Sequence, residues 1–286
     1  MRRLLSRLFA LLIAYIPSAT AYNTTLKLKI FNILLATIST TLRDDKMVFT
    51  ETITIEARAP FNFDLTAHIS SSGDKQIRNY TNGQSIQVLK VNDKLALVKL
   101  TSIGTVDIPK ISVELKSTSP ITLEDKRKVE ETVKFIFNLN FDLCSFYNDI
   151  KSDSTMTQIA HHLYGLKSPT TPTVFEALVD SIIEQQISIK VAHALEERLI
   201  KKFGETLTLD GETFYAYPTP INIARISISE IQNCGLSERK AQYLQGAAQL
   251  IVDGKLDLEN LKKQGSPEKI ISELDESGES EFGQLN

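Results

Sequence analysis

Cysteine is scarce in this 286-residue chain. Cys144 and Cys234 are the two it has, far apart and without CxxC spacing. That excludes a disulfide framework and gives no sign of a zinc or iron–sulfur site. Histidine is equally thin, with four residues of which only His161 and His162 adjoin. Neighbours on a helix point to different faces, so no metal pair is expected from them. Excess positive charge is missing too. Residues 1–46 hold seven Lys+Arg and two Asp+Glu, and the chain from Met47 carries 25 basic and 33 acidic residues, a net charge of −8. Bulk charge of this sign does nothing to attract nucleic acid, which needs a basic face. Only a local patch would serve.

Long apolar runs are confined to the first 46 residues. MRRLLSRLFALLIAYIPSATAY has a basic start, an apolar run and a small-residue Ala19-Thr20-Ala21 pattern, and read alone it is a secretory signal peptide. A second apolar stretch, LKIFNILLATIST, follows before Met47 opens MVFTETITIEARAPFNFDL, which reads as a domain start. Nothing downstream asks for an oxidising compartment. The two readings of residues 1–46 are therefore a leader and a translated upstream segment preceding the initiator Met47. The second makes the protein intracellular, in the cytoplasm or nucleoid.

With 42% hydrophobic and 23% charged residues the composition is globular, and a prior of ~150 residues per domain suggests two domains. The first spans 47–150. FTETITIEAR alternates at period two, as a half-buried strand does. IQVLKVNDKLALVKLTSI reads as a hairpin about Asn92-Asp93-Lys94, Asn82-Gly83 marks another turn, and ISVELKS is a further strand. After Ser119-Pro120, Val129, Val133, Ile136 and Phe137 are spaced for a helix face. The expectation is an antiparallel sheet with one or two packed helices.

The second domain, 151–286, reads as nearly all helix. Thr171 with Pro172 at the first helical position is expected to open VFEALVDSIIEQ. EQQIS breaks the period, and Ser188 then caps IKVAHALEERLIKKF, closed by Gly204. Tyr217-Pro218-Thr219-Pro220 is a rigid connection. Ser227 and Glu230 have capping-box spacing, Ser237 caps ERKAQYLQGAAQLIVDG, and Ser266-Pro267 starts PEKIISELDE. The fold class is thus α+β: an antiparallel β-sheet with helices, then an incomplete all-α bundle.

These residues resemble a known family. TVFEALVDSIIEQQISIKVAHALEERLIKKFGE, AYPTP and NCGLSERKAQYLQGAAQLIVDGKLDLENL are similar to the helix-hairpin-helix DNA glycosylases, nearest the DNA-3-methyladenine glycosylase II group. PFNFDLTAHI, RNYTNG and FDLCSFY extend the likeness weakly into the first domain. The resemblance implies hydrolysis of the N-glycosidic bond of an alkylated base after the nucleotide is flipped from the duplex. Its partner would be double-stranded DNA carrying alkylated bases, bound by a monomer with no metal, no cofactor and no obligate protein partner. It further implies that Gln186, flanked by Gln185 and Ser188, enters the minor groove and fills the space left by the flipped base. Arg239 and Lys240 would start a helix near the DNA. Phe175 and Tyr217, with Tyr215 and Tyr243, are candidates to line a base-stacking pocket, with core filling as the competing reading.

The family's hairpin and catalytic Asp have no counterpart up to Asn286. One back-translation of the terminal SGESEFGQLN, with a single adenine restored before Ser277, reads IRGIGVWTAE, a helix-hairpin-helix signature. Its Trp stands where bifunctional relatives carry a lysine nucleophile, so a complete version would be monofunctional. The expectation is a chain cut short by a frameshift and inactive, with no catalytic residue of its own. Asp275, Glu276, Glu279 and Glu281 are helix-end and tail charges, not replacements. The reading as a non-catalytic DNA-binding remnant, or as a secreted or membrane-tethered orphan, stays open beside this. Apolar faces around Leu178, Ile182, Leu195, Leu199 and Leu244 are expected to lack a partner layer, leaving the bundle marginal.

Overall fold

The computed structural model describes residues 47–261; the leader at 1–46, the segment from Ser266 and the frame break at Ser277 lie outside them. Five strands form one antiparallel sheet in the order β1-β5-β4-β3-β2, with β1 at Phe49–Glu56, β2 at Arg78–Thr81, β3 at Gln84–Val91, β4 at Lys94–Ser102 and β5 at Lys110–Ser117. The turns fall where the sequence puts them: Asn82 (φ +52°), Gly83 (φ +74°) and Asn92 (φ +53°) take the left-handed backbone that tight hairpins need. Helix α1 (Phe63–Ile69) and helix α2 (Leu123–Ile136) cover one face of the sheet. Alternate strand residues Val98, Leu100, Val113 and Leu115 meet Val129, Val133, Ile136 and Phe137 there, all of them buried.

Two short helices follow, α3 (Cys144–Asp149) and α4 (Ser154–His162), joined by a 3-10 turn. The chain stays against the sheet side as far as Lys167, which is 1% exposed. Its ammonium donates to the carbonyls of Arg58 and Leu139, each at 2.8 Å, and sits 5.6 Å from the centre of the Phe61 ring.

The bundle then runs through α5 (Val174–Glu184), α6 (Ile189–Phe203), α7 (Pro220–Ala224), α8 (Ile228–Gln232), α9 (Glu238–Val252) and α10 (Leu258–Leu261). Ser188, Ser227 and Ser237 hold the N-cap positions expected of them. Helix α5 starts two residues later than expected. Thr173, not Thr171, is its N-cap and accepts from the Glu176 amide, because a Thr with Glu three residues on satisfies the first turn better than Thr-Pro does. Thr219, inside the expected rigid connection, forms a capping box with Asn222 and opens α7.

The expected open apolar faces are closed. Ile182, Leu195, Leu199 and Leu244 are each at most 8% exposed, and Leu178 packs beside them, in a core shared with Ile223, Ile231, Leu236, Ala241 and Ala248. Helices α7 to α10 supply the layer that seemed missing, with Ala241, Leu244, Ala248 and Leu250 of α9 buried against α5 and α6.

The bundle is not all helix. Strands β6 (Thr206–Leu209) and β7 (Glu212–Tyr215) form a hairpin about Asp210 (φ +51°) and Gly211 (φ +81°). Leu207, Leu209, Phe214 and Ala216 of this segment bury against Val88, Val48, Leu95 and Leu97, covering the face of the sheet that α1 and α2 leave open. The Tyr215 amide donates to the Gln76 carbonyl at 2.8 Å, and ion pairs Lys90–Glu205 and Lys201–Asp74 flank the junction.

Gly204 closes α6 as expected, but not by a left-handed turn. Its backbone is extended (φ −70°, ψ 156°), and a Cβ there would lie 2.1 Å from the Ala216 carbonyl oxygen and 2.6 Å from that of Ile200. Both neighbours are backbone and cannot swing aside. Gly204→Ala is expected to destabilise by about 1–3 kcal/mol. Equilibrium urea unfolding measures it, and an unshifted midpoint would remove the close-approach argument.

Candidate nucleic-acid interface and a buried acid cluster

The turn between α5 and α6 is built by a conflict of periods. Gln185 leaves the helix at ψ 126°, and Gln186 takes φ +59°, a left-handed conformation that costs a non-glycine residue roughly 1–2 kcal/mol. Glu184, Gln185, Gln186, Ser188 and Ile189 are all exposed. Ser188 sits at the N-cap of α6, yet its hydroxyl makes no capping bond. Non-glycine residues held in such backbone cluster where a side chain has to be presented.

Helix α9 approaches the same turn. Ser237 accepts from the Lys240 amide, and the Lys240 ammonium crosses to the end of α5, donating to Ile183 O and Gln185 O at 2.8 Å each. Arg239 is exposed and lies over the Tyr243 ring at 5.5 Å, its Nε donating to the Tyr243 hydroxyl at 2.7 Å. Gln185, Gln186, Ser188, Arg239 and Lys240 are therefore gathered about one corner. Two of the three Lys240 N–H groups are spent on protein carbonyls at the end of α5.

The aromatic candidates stand elsewhere. Phe175 and Tyr217 line one cavity of about 480 Å³ with Pro218, Thr219, Leu256 and Leu258. Phe175 is 10 residues from Gln185 on the same helix, which puts the two about 15 Å apart along its axis. Tyr215 and Tyr217 border a neighbouring cavity, also about 480 Å³, while Tyr243 belongs with Arg239.

That second cavity holds side chains the sequence reading passed over. Arg78 of β2 meets Glu196 of α6 at 3.4 Å, Tyr217 donates to Asp180 at 2.7 Å, and Thr173 donates to Glu176 at 3.2 Å. Three acids thus share one guanidinium in a buried setting. Desolvation pushes Glu176 up to about 8, partly offset by Arg78 and reinforced by Asp180. Desolvation and Asp180 lift Glu196 to about 7, more than Arg78 lowers it, and the ion-pair distance of 3.4 Å is long enough to explain why. Desolvation likewise raises Asp180 and carries the Tyr217 hydroxyl well above its usual range. A signal was available: Thr173-x-x-Glu176 is capping-box spacing, and Glu176 with Asp180 at i,i+4 puts two acids on one face of an apolar helix. Among the described residues no group of His, Cys, Asp and Glu is disposed to hold a metal ion, and no helix is long and apolar enough to cross a membrane.

Residues 179–279 match the family described as "HhH-GPD superfamily base excision DNA repair protein". A DNA-3-methyladenine glycosylase of Bacillus subtilis (strain 168) is 27% identical over 210 residues, covering 71% of this chain and 68% of the relative. A putative DNA-3-methyladenine glycosylase of the same organism is 26% identical over 167 residues, 58% of this chain and 54% of its own length. Among solved structures, a 3-methyladenine DNA-glycosylase from Archaeoglobus fulgidus superposes with a TM-score of 0.64 at 22% identity, covering 74% of this chain and 70% of that one. The Clostridium acetobutylicum 8-oxoguanine glycosylase/lyase, in complex with double-stranded DNA containing cytosine opposite 8-oxoguanine, gives 0.59 at 19% identity, covering 82% and 74%. Both likenesses establish the shared fold of sheet and bundle.

Proposed function

We propose that this chain engages damaged duplex DNA as a base-excision glycosylase of the monofunctional, alkylated-base type. In this reading Gln186 is the wedge that occupies the space of an extruded nucleotide. The observation that carries it is the exposed, left-handed Gln186 at the α5–α6 turn, inside the segment matched by the repair superfamily. The 3-methyladenine preference is supported by the names of the Bacillus and Archaeoglobus relatives, not by a pocket geometry. Arg239 contributes a backbone contact, and Gln185 and Ser188 border the wedge. Extrusion costs a few kcal/mol, least where the base is already damaged, so a filled gap is the state such a wedge stabilises.

Duplexes carrying 2-aminopurine beside an abasic-site analogue test this. The protein is expected to bind them in preference to intact duplex and to brighten the 2-aminopurine as it unstacks. Gln186→Ala should cut that preference about tenfold, equivalent to ~1.4 kcal/mol. Equal affinity for both duplexes in the unaltered protein would sink the reading. Base release from methylated duplex separates a glycosylase from a DNA-binding module. Turnover above buffer would require an acid among the residues present and would direct attention to Glu176, Asp180 and Glu196.

A further inference from the structure

The contacts of Lys240 carry an inference of their own. The last carbonyls of an α-helix have no donor within the helix, and at the end of α5 two of them, Ile183 O and Gln185 O, receive the Lys240 ammonium at 2.8 Å. A cation is also electrostatically favoured at a helix C-terminus, and bonds from a charged donor are stronger than neutral ones. The turn that follows is weakly held by its own atoms. The Ile187 amide reaches Glu184 O only at 3.4 Å, and Ser188 makes no side-chain cap. Yet Gln186 stands at φ +59°. The lysine is itself fixed, since its amide is held at the start of α9 by Ser237.

We infer that Lys240 is a positioning residue: its ammonium clamps the end of α5 and so holds Gln186 in the left-handed conformation that presents it to the duplex. This rests on the wedge role proposed for Gln186. The competing role is a phosphate contact, which would leave the clamp incidental.

Lys240→Met keeps the length of the side chain and removes its donors, and the full chain is used throughout. In the protein alone, amide hydrogen exchange at Gln186, Ile187 and Ser188 should rise about tenfold while the interior of α9 keeps its protection. With the 2-aminopurine duplex, the brightening should fall about tenfold, yet the slope of log K against log salt should stay as it was, because each lost phosphate contact would lower its magnitude by about 0.9. Lys240→Arg keeps the charge but replaces a compact ammonium with a planar fork. It should retain the salt slope without restoring slow exchange at the turn.

Unchanged exchange in Lys240→Met overturns the proposal. A fall in the salt slope overturns it in favour of a phosphate contact, as does full recovery of both readouts by Lys240→Arg. If the unaltered protein fails to brighten the duplex while Lys240→Met still loosens the turn, the clamp stands and the wedge reading fails instead.

Discussion

Replacing Lys167 with alanine should lower the unfolding free energy by about 3–5 kcal/mol, through a lost donor and a cavity together. The side chain is 1% exposed and bonds the carbonyls of Arg58 and Leu139 at 2.8 Å. Leu139 O also accepts from the Arg58 amide, so the Arg58 carbonyl is the acceptor left bare. Burial, and then the nearby Arg58 charge, bring the amine down to about 8, with Asp142 opposing. Lys167→Met fills much of the space and removes only the donors, so it should cost about 1–3 kcal/mol. Urea unfolding at neutral pH reads both. An alanine variant within about 0.5 kcal/mol of the parent would behave like a surface substitution and end the argument.

Glu176→Gln should stabilise the protein in alkali, by about 1–3 kcal/mol near pH 9, and leave it nearly unchanged near pH 5. Glu176 titrates from the ordinary 4.5 in the unfolded chain and at about 8 in the fold, chiefly through desolvation. Between those values the folded state keeps a proton that the unfolded state has released. Its stabilisation is therefore complete below about 4.5 and disappears as the pH climbs through 8. The groups facing it are Arg78 from β2, Thr173 and Asp180 on its own segment, and Glu196 from α6. Glutamine retains the acceptor for Thr173 and never ionises. Glu196, held at about 7, leaves a smaller slope in the variant. Thermal melts from pH 5 to 9 decide the matter. Parallel curves for parent and variant would mean that Glu176 is not the group being titrated.

The sheet was largely readable in advance because its information is local. Period-two alternation in β1 and the Asn82-Gly83 and Asn92-Asp93 turns each act within a few residues, and each is where the sequence puts it. Asp210-Gly211 carries the same kind of signal between TLTL and ETFY, but the surrounding segment reads as helix, and a strand pair inside a bundle runs against that pattern. The N-cap error at Thr171 has the same origin. Proline at a first helical position is a good cue, but Thr173 with Glu176 offers the first turn two bonds and prevails. The closure of the bundle was hidden because helices of five residues, such as α7 and α8, carry too little periodicity to announce which face they bury.

The site was legible only as a set of residue types. EQQIS and GLSERK start 51 residues apart in the chain, and nothing local reveals that Lys240 is tied to the carbonyls beside Gln186. The acid cluster is harder still. Arg78, Glu176, Asp180, Glu196 and Tyr217 come from a strand, two helices and a loop, and each alone looks like an ordinary surface residue.

The β6–β7 hairpin has a consequence for how this molecule comes apart. By sequence it belongs to the bundle, between α6 and α7, yet its apolar side chains complete the second face of the sheet. A fragment stopping before Thr206 would hand Val88, Leu95 and Leu97 to water, and a fragment starting after the sheet would do the same to Leu207, Leu209 and Phe214. Neither half owns a finished surface. A cut in the connecting stretch after α4 would then yield two pieces that remain married, each serving as the other's solvent.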